Sequence, residues 1–310
     1  MALRHHFHLI GISALLVASC SLLAGEVLPG AKRVLVLGDS ITYDGRYVAW
    51  VEAVLLADQP ARKLEIINCG LPSETVSGLS EEGHAGGQFP RPCLFERLDR
   101  VLRGVKPDTV IACYGMNDGI YKPYEAERAR KYQDGMTELR RKVLALPARF
   151  IAVTPPIYDP HGPDAVDYNG VLDKYSAWLV DQRKSGWQVI DLHGPMAAAL
   201  TERRKQDPNF TFASDKVHPN DEGHWVMAKA LLAGLGVETV KSADTPQAAL
   251  TKLKDPSAFL KLVQQRSKLL RDAWLTSTKH TRPGIAAGVP MDQARAKAAE
   301  LTKAIQEAMK

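Results

Sequence analysis

The sequence predicts an α/β fold in which helices cover both faces of a parallel β-sheet. Short apolar runs alternate with longer stretches of helical spacing, which is the order that repeated β–α units produce. The apolar runs are nearly continuous rather than alternating with polar residues, as expected for strands that are buried on both faces. The 310 residues are enough for one sizeable domain with an appendage, or for two small domains.

Five apolar runs, each bounded by turn residues, predict the strands in chain order: 34–37, 64–68, 109–114, 150–154 and 188–192. The stretches between and after them predict helices at 47–57, 94–103, 125–146, 168–184, 196–205 and Asp221–Gly234. Pro219 and Asn220 mark the start of the last helix, and Gly234 and Gly236 mark its end. We therefore expect a five-stranded parallel sheet with helical crossovers.

The C-terminal part of the chain has a different character. A polar segment with a proline, 241–247, suits a linker. Beyond it, two amphipathic helices are predicted at 257–276 and 291–309. We expect an α/β domain at 30–237 and a helical extension at 244–310 that packs back on it. A module that binds a partner or a surface is the alternative.

The N-terminal residues have the order of a secretory signal. Arg4 precedes an apolar stretch at 9–17, and small residues follow it. The Val-Ala-Ser-Cys sequence that ends at Cys20 resembles a bacterial lipobox, in which the cysteine becomes lipidated. We expect residues 1–24 to be a signal peptide or lipoprotein signal, and the protein to be exported: periplasmic, anchored to a membrane through Cys20, or secreted. A plain signal cleaved near Ala24 is the alternative to the lipoprotein.

Charge and composition argue against several classes of function. The net charge is +5, but basic and acidic residues are intermixed along the chain, so we expect no nucleic-acid partner. The sequence has neither a Gly-rich phosphate loop nor a Cys-x-x-Cys pair, and we expect no cofactor and no metal. It gives no indication of the oligomeric state.

Three cysteines follow Cys20, and an odd number cannot all pair within one exported chain. Cys69 and Cys113 lie at the ends of apolar runs, so we expect them to be buried thiols that act as small hydrophobic residues. The pairing of the three is left open, and a bridge between Cys69 and Cys93 is one option.

Ser40 is the first candidate catalytic residue. It follows the apolar run 34–37 in the sequence Gly-Asp-Ser-Ile-Thr, and Gly38 permits a sharp change of direction there. The serine is thereby placed at the carboxyl end of a central strand, where open α/β sheets keep their sites. A serine hydroxyl becomes an effective nucleophile only when a base removes its proton.

Asp215 and His218 can supply that base. They lie three residues apart on a turn that leads into the helix Asp221–Gly234, so both side chains can point the same way. Asp215 could then hold one ring nitrogen while the other faces Ser40. A helix-entry turn with an incidental histidine is the alternative for the pair alone.

The tetrahedral intermediate of acyl transfer needs hydrogen-bond donors that are fixed in advance. Three donors are candidates for this oxyanion hole: the backbone N–H of Ser40, the backbone N–H of Gly70 and the side-chain amide of Asn117. Each lies just beyond the carboxyl end of a different predicted strand. A turn glycine and a turn asparagine are individually common, so the prediction depends on the three strand ends converging.

Four ordered motifs resemble the signatures of the SGNH (GDSL) hydrolases: Gly-Asp-Ser-Ile-Thr at 38–42, Asn-Cys-Gly at 68–70, Gly-Met-Asn-Asp at 115–118 and Asp-Lys-Val-His-Pro at 215–219. The resemblance covers about residues 32–235. It implies a flavodoxin-like three-layer α/β/α sandwich and an esterase. It also implies that Ser40 is the nucleophile, that His218 is the base and that Asp215 orients it, with Ser40, Gly70 and Asn117 as the oxyanion hole.

The chain departs from the family at one position, because the second signature usually ends in glycine where this chain has Ser73.

We expect a serine esterase that removes short acyl groups, above all O-acetyl groups, from carbohydrates. The alternatives are a lysophospholipase- or thioesterase-like lipid ester hydrolase and a non-catalytic carbohydrate-binding lipoprotein. Weak candidates for substrate contact are Tyr43 and His84.

Overall fold

A computed structural model describes residues 28–161 and 166–310. The predicted signal and lipobox at 1–24 lie outside the described residues. The strands are β1 (Arg33–Gly38), β2 (Glu65–Asn68), β3 (Thr109–Cys113), β4 (Arg149–Val153) and β5 (Gln188–Ile190). The α-helices are α1 (Ser40–Asp44), α2 (Arg46–Asp58), α3 (Leu94–Val105), α4 (Ala126–Leu144), α5 (Tyr168–Asp181), α6 (His193–Gln206), α7 (Asp221–Gly234), α8 (Pro256–Thr278) and α9 (Met291–Ala308).

The five strands form one sheet in the order β2-β1-β3-β4-β5, and every neighbouring pair is parallel. This confirms the predicted five-stranded parallel sheet. The three inner strands are almost entirely buried, and β3 is buried at every position. Their continuous apolar sequences follow from this burial on both faces.

The helices form a layer on each face of the sheet. The chain moves one way across the sheet from β1 to β2 and the other way from β3 to β5. Because parallel crossovers are right-handed, α2 and the helices α3–α5 fall on opposite faces. In agreement with this, α2 contacts α7 and α8, whereas α4 contacts α5. The α/β/α layering predicted from the sequence is therefore confirmed.

The strand order reverses between β1 and β3, and this reversal positions the functional site. Segments that leave the carboxyl ends of these two strands turn to opposite sides, which opens a crevice between them. Ser40 follows β1 and Asn117 follows β3, so both lie beside this crevice.

The helix α1 was not predicted from the sequence. It has only five residues, and Ser40 is the first of them. The side chain of Asp39 caps it by accepting the backbone N–H of Ile41 at 2.9 Å, which satisfies a donor that the helix itself cannot pair. The predicted helix at 168–184 ends at Asp181 and continues as one 3₁₀ turn. The last residues of the predicted helix have the 3₁₀ hydrogen-bond pattern, which is common at the ends of α-helices.

The C-terminal extension packs on the α/β layers through α8, which contacts α2, α3 and the edge strand β2. Phe259 and Val263 of α8 are fully buried in the same hydrophobic core as the sheet. Arg266 of α8 forms a buried ion pair with Glu52 of α2, with 3.1 Å between Nη2 and Oε1. α9 contacts α8, so the extension covers the β2 edge of the sheet with α8, and α9 packs on α8.

Cys69, Cys93 and Cys113 are all free thiols, so the optional Cys69–Cys93 bridge does not form. Cys69 and Cys113 are buried, as expected. Burial raises the pKa of the Cys69 thiol to about 12 and also raises the pKa of Cys113, so neither is a reactive thiolate at neutral pH. Within residues 28–161 and 166–310, no helix combines the length and the hydropathy that spanning a bilayer requires.

Candidate active site

The structure brings Ser40, His218 and Asp215 together in one hydrogen-bonded chain. The Oγ of Ser40 lies 2.8 Å from Nε2 of His218, and Nδ1 of His218 lies 2.6 Å from Oδ2 of Asp215. An ionised carboxylate can only accept hydrogen bonds, so Nδ1 carries the ring proton and Nε2 is the acceptor for the serine hydroxyl. This is the arrangement in which a histidine can remove the proton of a serine during attack.

Asp215 also organises the loop that carries His218. Its Oδ1 accepts the backbone N–H groups of Val217 at 3.0 Å and of His218 at 2.8 Å. Partial burial favours the protonated carboxyl, but the hydrogen bonds from His218 and Val217 outweigh it and lower the pKa of Asp215. The carboxylate is thus held in its charged form, which stabilises an imidazolium at His218.

Asp159 holds the same loop in place through hydrogen bonds, a role that the sequence analysis did not predict. Its backbone N–H donates to the carbonyl of Lys216 at 2.9 Å, and its buried Oδ2 accepts the N–H groups of Phe212 and Ala213 at 2.6 and 3.1 Å. Arg204 donates to its other oxygen at 2.6 Å. No sequence signal indicates this, because the partners lie 45 or more residues away in the chain.

Asn117 is buried beside the carboxyl end of β3. Its Oδ1 accepts hydrogen bonds from Nη1 of Arg91 at 2.8 Å and from the hydroxyl of Tyr121 at 3.2 Å. One hydrogen of its Nδ2 is directed to the carbonyl of Glu74 at 3.3 Å. The amide nitrogen has a second hydrogen that this bond does not use, as an oxyanion donor requires.

Gly70 lies against the helix that begins with Ser40, and its lack of a side chain is needed there. A Cβ at this position would come within 2.5 Å of the backbone nitrogen of Tyr43. The N–H of Gly70 donates to Oδ1 of Asn68 at 2.8 Å. The oxyanion role predicted for Gly70 therefore requires this internal bond to be exchanged for one to the substrate.

The position at which the chain departs from the family signature has an unusual backbone conformation. Ser73 has a φ of 67°, and the N–H of Glu74 donates to the carbonyl of Leu71 at 3.2 Å. With Pro72 in the second position, these are the features of a type II turn, whose third residue is usually glycine or asparagine. The glycine of the signature is thus explained by the turn, and serine adopts the same turn here at some cost in strain.

A buried ion pair between Glu74 and Arg97 lies next to the turn that contains Ser73 and next to Asn117. The side chains of Glu74 and Arg97 are both fully buried and pair through two hydrogen bonds of 2.6 and 2.7 Å. The hydroxyl of Tyr114 donates to Glu74 at 2.6 Å, and Arg97 donates to the carbonyl of Cys69 at 2.7 Å. The segments that follow β2 and β3 are therefore joined by one polar network.

We expect Arg97→Ala to lower the free energy of unfolding by about 3–5 kcal/mol, because Glu74 would be left buried without its cation. Arg103→Ala, on the exposed side of the same helix α3, is the matched control and should change it by less than about 0.5 kcal/mol. Urea denaturation of both variants measures the difference. Equal losses in the two variants would show that the buried pair contributes nothing specific.

Two further carboxyls lie close to the site and are buried. Burial raises the pKa of Asp39 to about 7, and its Oδ1 caps α1. Burial also raises the pKa of Asp118 to about 6, although its Oδ1 accepts the N–H groups of Val76 and Ser77 at 2.9 and 2.8 Å. Both carboxyls hold backbone in place.

The weak substrate-contact candidates, Tyr43 and His84, have partners within the protein. Arg271 of α8 stacks over the ring of Tyr43, with Cζ 4.0 Å from the ring centroid, and also donates to the Tyr43 carbonyl. His84 packs edge-on against Phe89 and lies 3.2 Å from Oε1 of Glu81 through its Nδ1. Their predicted contact with substrate stays a prediction.

Among residues 28–161 and 166–310, no three His, Cys, Asp or Glu side chains come together in the way that a metal ion requires. In the described part of the chain, the site consists of a serine, a histidine and a carboxylate with amide donors beside them. It can carry out nucleophilic acyl transfer.

Residues 36–226 match the model of the GDSL-like lipase/acylhydrolase family. A curated relative, the acetylxylan esterase of Geobacillus stearothermophilus, is 24% identical over an alignment of 233 positions that covers 68% of this chain and 97% of the relative. The extension beyond the matched residues is not covered by the family model.

Solved structures show the same fold. A crystal structure of the Geobacillus stearothermophilus acetylxylan esterase matches with a TM-score of 0.53 at 25% identity, over 68% of this chain and 97% of the other. An alpha/beta hydrolase from the metagenome of Lake Arreo, Spain, matches with a TM-score of 0.52 at 27% identity, over 67% and 96%. A gut microbial diltiazem-metabolizing enzyme matches with a TM-score of 0.56 at 23% identity, over 66% of this chain but only 47% of its own.

Proposed function

The chain belongs to the GDSL-like lipase/acylhydrolase family and is a carboxylic ester hydrolase, and we propose that it removes short acyl groups, mainly acetyl, from carbohydrate esters by a Ser-His-Asp acyl-enzyme mechanism. The observation that carries this proposal is the continuous hydrogen-bonded chain from Ser40 through His218 to Asp215. No other residue is needed to generate the nucleophile.

In the first half of the reaction, Oγ of Ser40 attacks the ester carbonyl carbon while its proton passes to Nε2 of His218. Asp215 stabilises the imidazolium and keeps the ring oriented. Collapse of the tetrahedral intermediate breaks the bond to the sugar oxygen, which leaves with the proton from His218. The product is a free sugar hydroxyl and an acyl ester on Ser40.

In the second half, water takes the place of the sugar. His218 removes one proton from the water as its oxygen attacks the acyl carbon, and the second tetrahedral intermediate releases the carboxylic acid. The same proton returns to Oγ of Ser40. During both halves the negative oxygen would be stabilised by the backbone N–H of Ser40, by Nδ2 of Asn117 and by the N–H of Gly70 once it leaves Asn68.

Two observations support an acetylated carbohydrate as the substrate. The curated relative that covers most of the chain is an acetylxylan esterase. The site itself is bordered by polar and aromatic side chains, among them Arg91, Glu81 and Tyr121. Two cavities of about 540 and 740 Å³ lie elsewhere, between α6 and α7 beside β5 and between α3 and α4. A long acyl chain in either cavity would be remote from Ser40.

Acetate release from acetylated xylooligosaccharides, pectin, sialic acids and short lipid esters tests the substrate class. We expect the acetylated carbohydrates to have the highest kcat/KM. With p-nitrophenyl esters, the rate should fall steeply from the acetyl to the octanoyl ester. Faster turnover of octanoyl or lysophospholipid esters would instead assign the enzyme to lipid substrates.

A further inference from the structure

We propose that Arg91 is a positioning residue that fixes the Asn117 amide with its nitrogen toward the reacting carbonyl. This inference rests on the proposed function, in which Asn117 donates to the oxyanion. Arg91 lies in the polar loop between β2 and α3, and it is outside the four motifs that resemble the family signatures. Its side chain is 5% exposed.

Arg91 is held rigidly by a second residue of the same loop. Its Nε lies 2.6 Å from Oε2 of Glu81, and its Nη2 lies 2.7 Å from Oε1. This two-point pairing fixes the plane of the guanidinium. The remaining nitrogen, Nη1, points to Oδ1 of Asn117 at 2.8 Å.

The orientation of the Asn117 amide decides whether it can help catalysis. Its nitrogen end stabilises a negative oxygen, whereas its oxygen end repels one. Arg91 and the hydroxyl of Tyr121 both donate to Oδ1. A flip of the amide would turn Nδ2 toward Nη1 of Arg91, which can only donate, and Oδ1 toward the carbonyl of Glu74, which can only accept. These contacts oppose the flip. Together they keep Nδ2 available for the oxyanion.

The charge on Arg91 also acts through the amide. A cation beside Oδ1 polarises the amide group and makes its N–H groups stronger donors. Direct binding of an anionic substrate by Arg91 is disfavoured, because Glu81 occupies Nε and Nη2 and Asn117 occupies Nη1. A positioning role therefore fits the contacts better than a binding role.

A double-mutant cycle between Arg91 and Asn117 tests the inference, with p-nitrophenyl acetate as the substrate. Asn117→Ala should lower kcat by about 10²–10³-fold. Arg91→Ala alone should lower kcat by about 10–100-fold, the value of a charged hydrogen bond, with little change in KM. In the Asn117→Ala background, Arg91→Ala should cost nothing more.

Three controls accompany the cycle. Thermal melting of each variant shows that it is folded at the assay temperature. If Arg91→Ala does not fold, Glu81→Gln replaces it in the cycle, because it weakens the two-point pairing without removing the guanidinium. The expected loss is then smaller but must also vanish in the Asn117→Ala background. Arg130→Ala, on the exposed face of α4, should leave kcat unchanged.

Failure of the proposed mechanism and failure of the inference about Arg91 would give different results. If Asn117→Ala keeps the full kcat, Asn117 is not an oxyanion donor and that part of the proposed mechanism is wrong, together with the inference. If Asn117→Ala is slow but Arg91→Ala, or its Glu81→Gln replacement, multiplies the loss by the same factor in both backgrounds, the arginine does not act through Asn117. The inference alone is then overturned.

Discussion

Replacing Ser40 with alanine is expected to lower kcat for p-nitrophenyl acetate by at least about 10³–10⁴-fold while the protein stays folded. Without Oγ no acyl-enzyme can form, and only direct attack by water remains, assisted by the donors around the site. Ser40 is only partly buried at the start of α1, so the loss of one oxygen atom leaves no unsatisfied buried group.

Initial rates with purified protein measure this effect, and circular dichroism checks the fold. Ser242→Ala, an exposed serine outside the sheet, is the matched control and should keep the full rate. A fluorophosphonate probe should label the parent protein and not the Ser40→Ala variant. His218→Ala should be about as slow as Ser40→Ala, and Asp215→Asn should retain weak activity. Full activity of Ser40→Ala would remove Ser40 from the mechanism.

Ending the chain after Lys254 is expected to prevent folding into a soluble protein. The truncation removes α8, whose Phe259, Val263 and Trp274 are buried against the α/β layers. Burying each large apolar side chain is worth about 1.5–3 kcal/mol, and α8 also supplies the partner of buried Glu52. The summed loss is comparable to the net stability of a typical domain, about 5–15 kcal/mol.

Ending the chain after Pro290 provides the comparison. It removes only α9, which buries Ala294, Ala298 and Ile305, so this shorter truncation should be soluble but less stable. The distribution of each truncated protein between soluble and insoluble fractions, followed by urea denaturation of the soluble ones, measures the result. A soluble protein that ends at Lys254 and unfolds cooperatively would show that α8 is dispensable for the fold.

The strands could be predicted because a strand that is buried on both faces of the sheet is apolar at consecutive residues. Most helices could be predicted from the helical spacing of their apolar residues. The run 34–37 has no polar residue, and it becomes the inner strand β1. The helix α1 could not be predicted, because its five residues are too few for a periodic pattern. Its start depends on the Asp39 cap, whose sequence signal is a single residue.

The residues of the candidate site were predictable where chemistry restricts the residue type. The sequence motifs alone indicate Ser40, Asp215 and His218, and the structure places these side chains within hydrogen-bonding range of one another. Arg91 and Asp159 were not found, because an arginine or an aspartate in a polar loop carries no local signal. Their partners become neighbours only through the tertiary fold.

The hydrogen bond between Ser40 and His218 joins residues that lie 178 positions apart. Contacts over such separations form slowly during folding, because the intervening chain must first lose its conformational freedom. Helical signal recovered after dilution from denaturant therefore reports on early, local events. Ester turnover requires the contact between Ser40 and His218, so an activity assay during refolding measures when folding is complete.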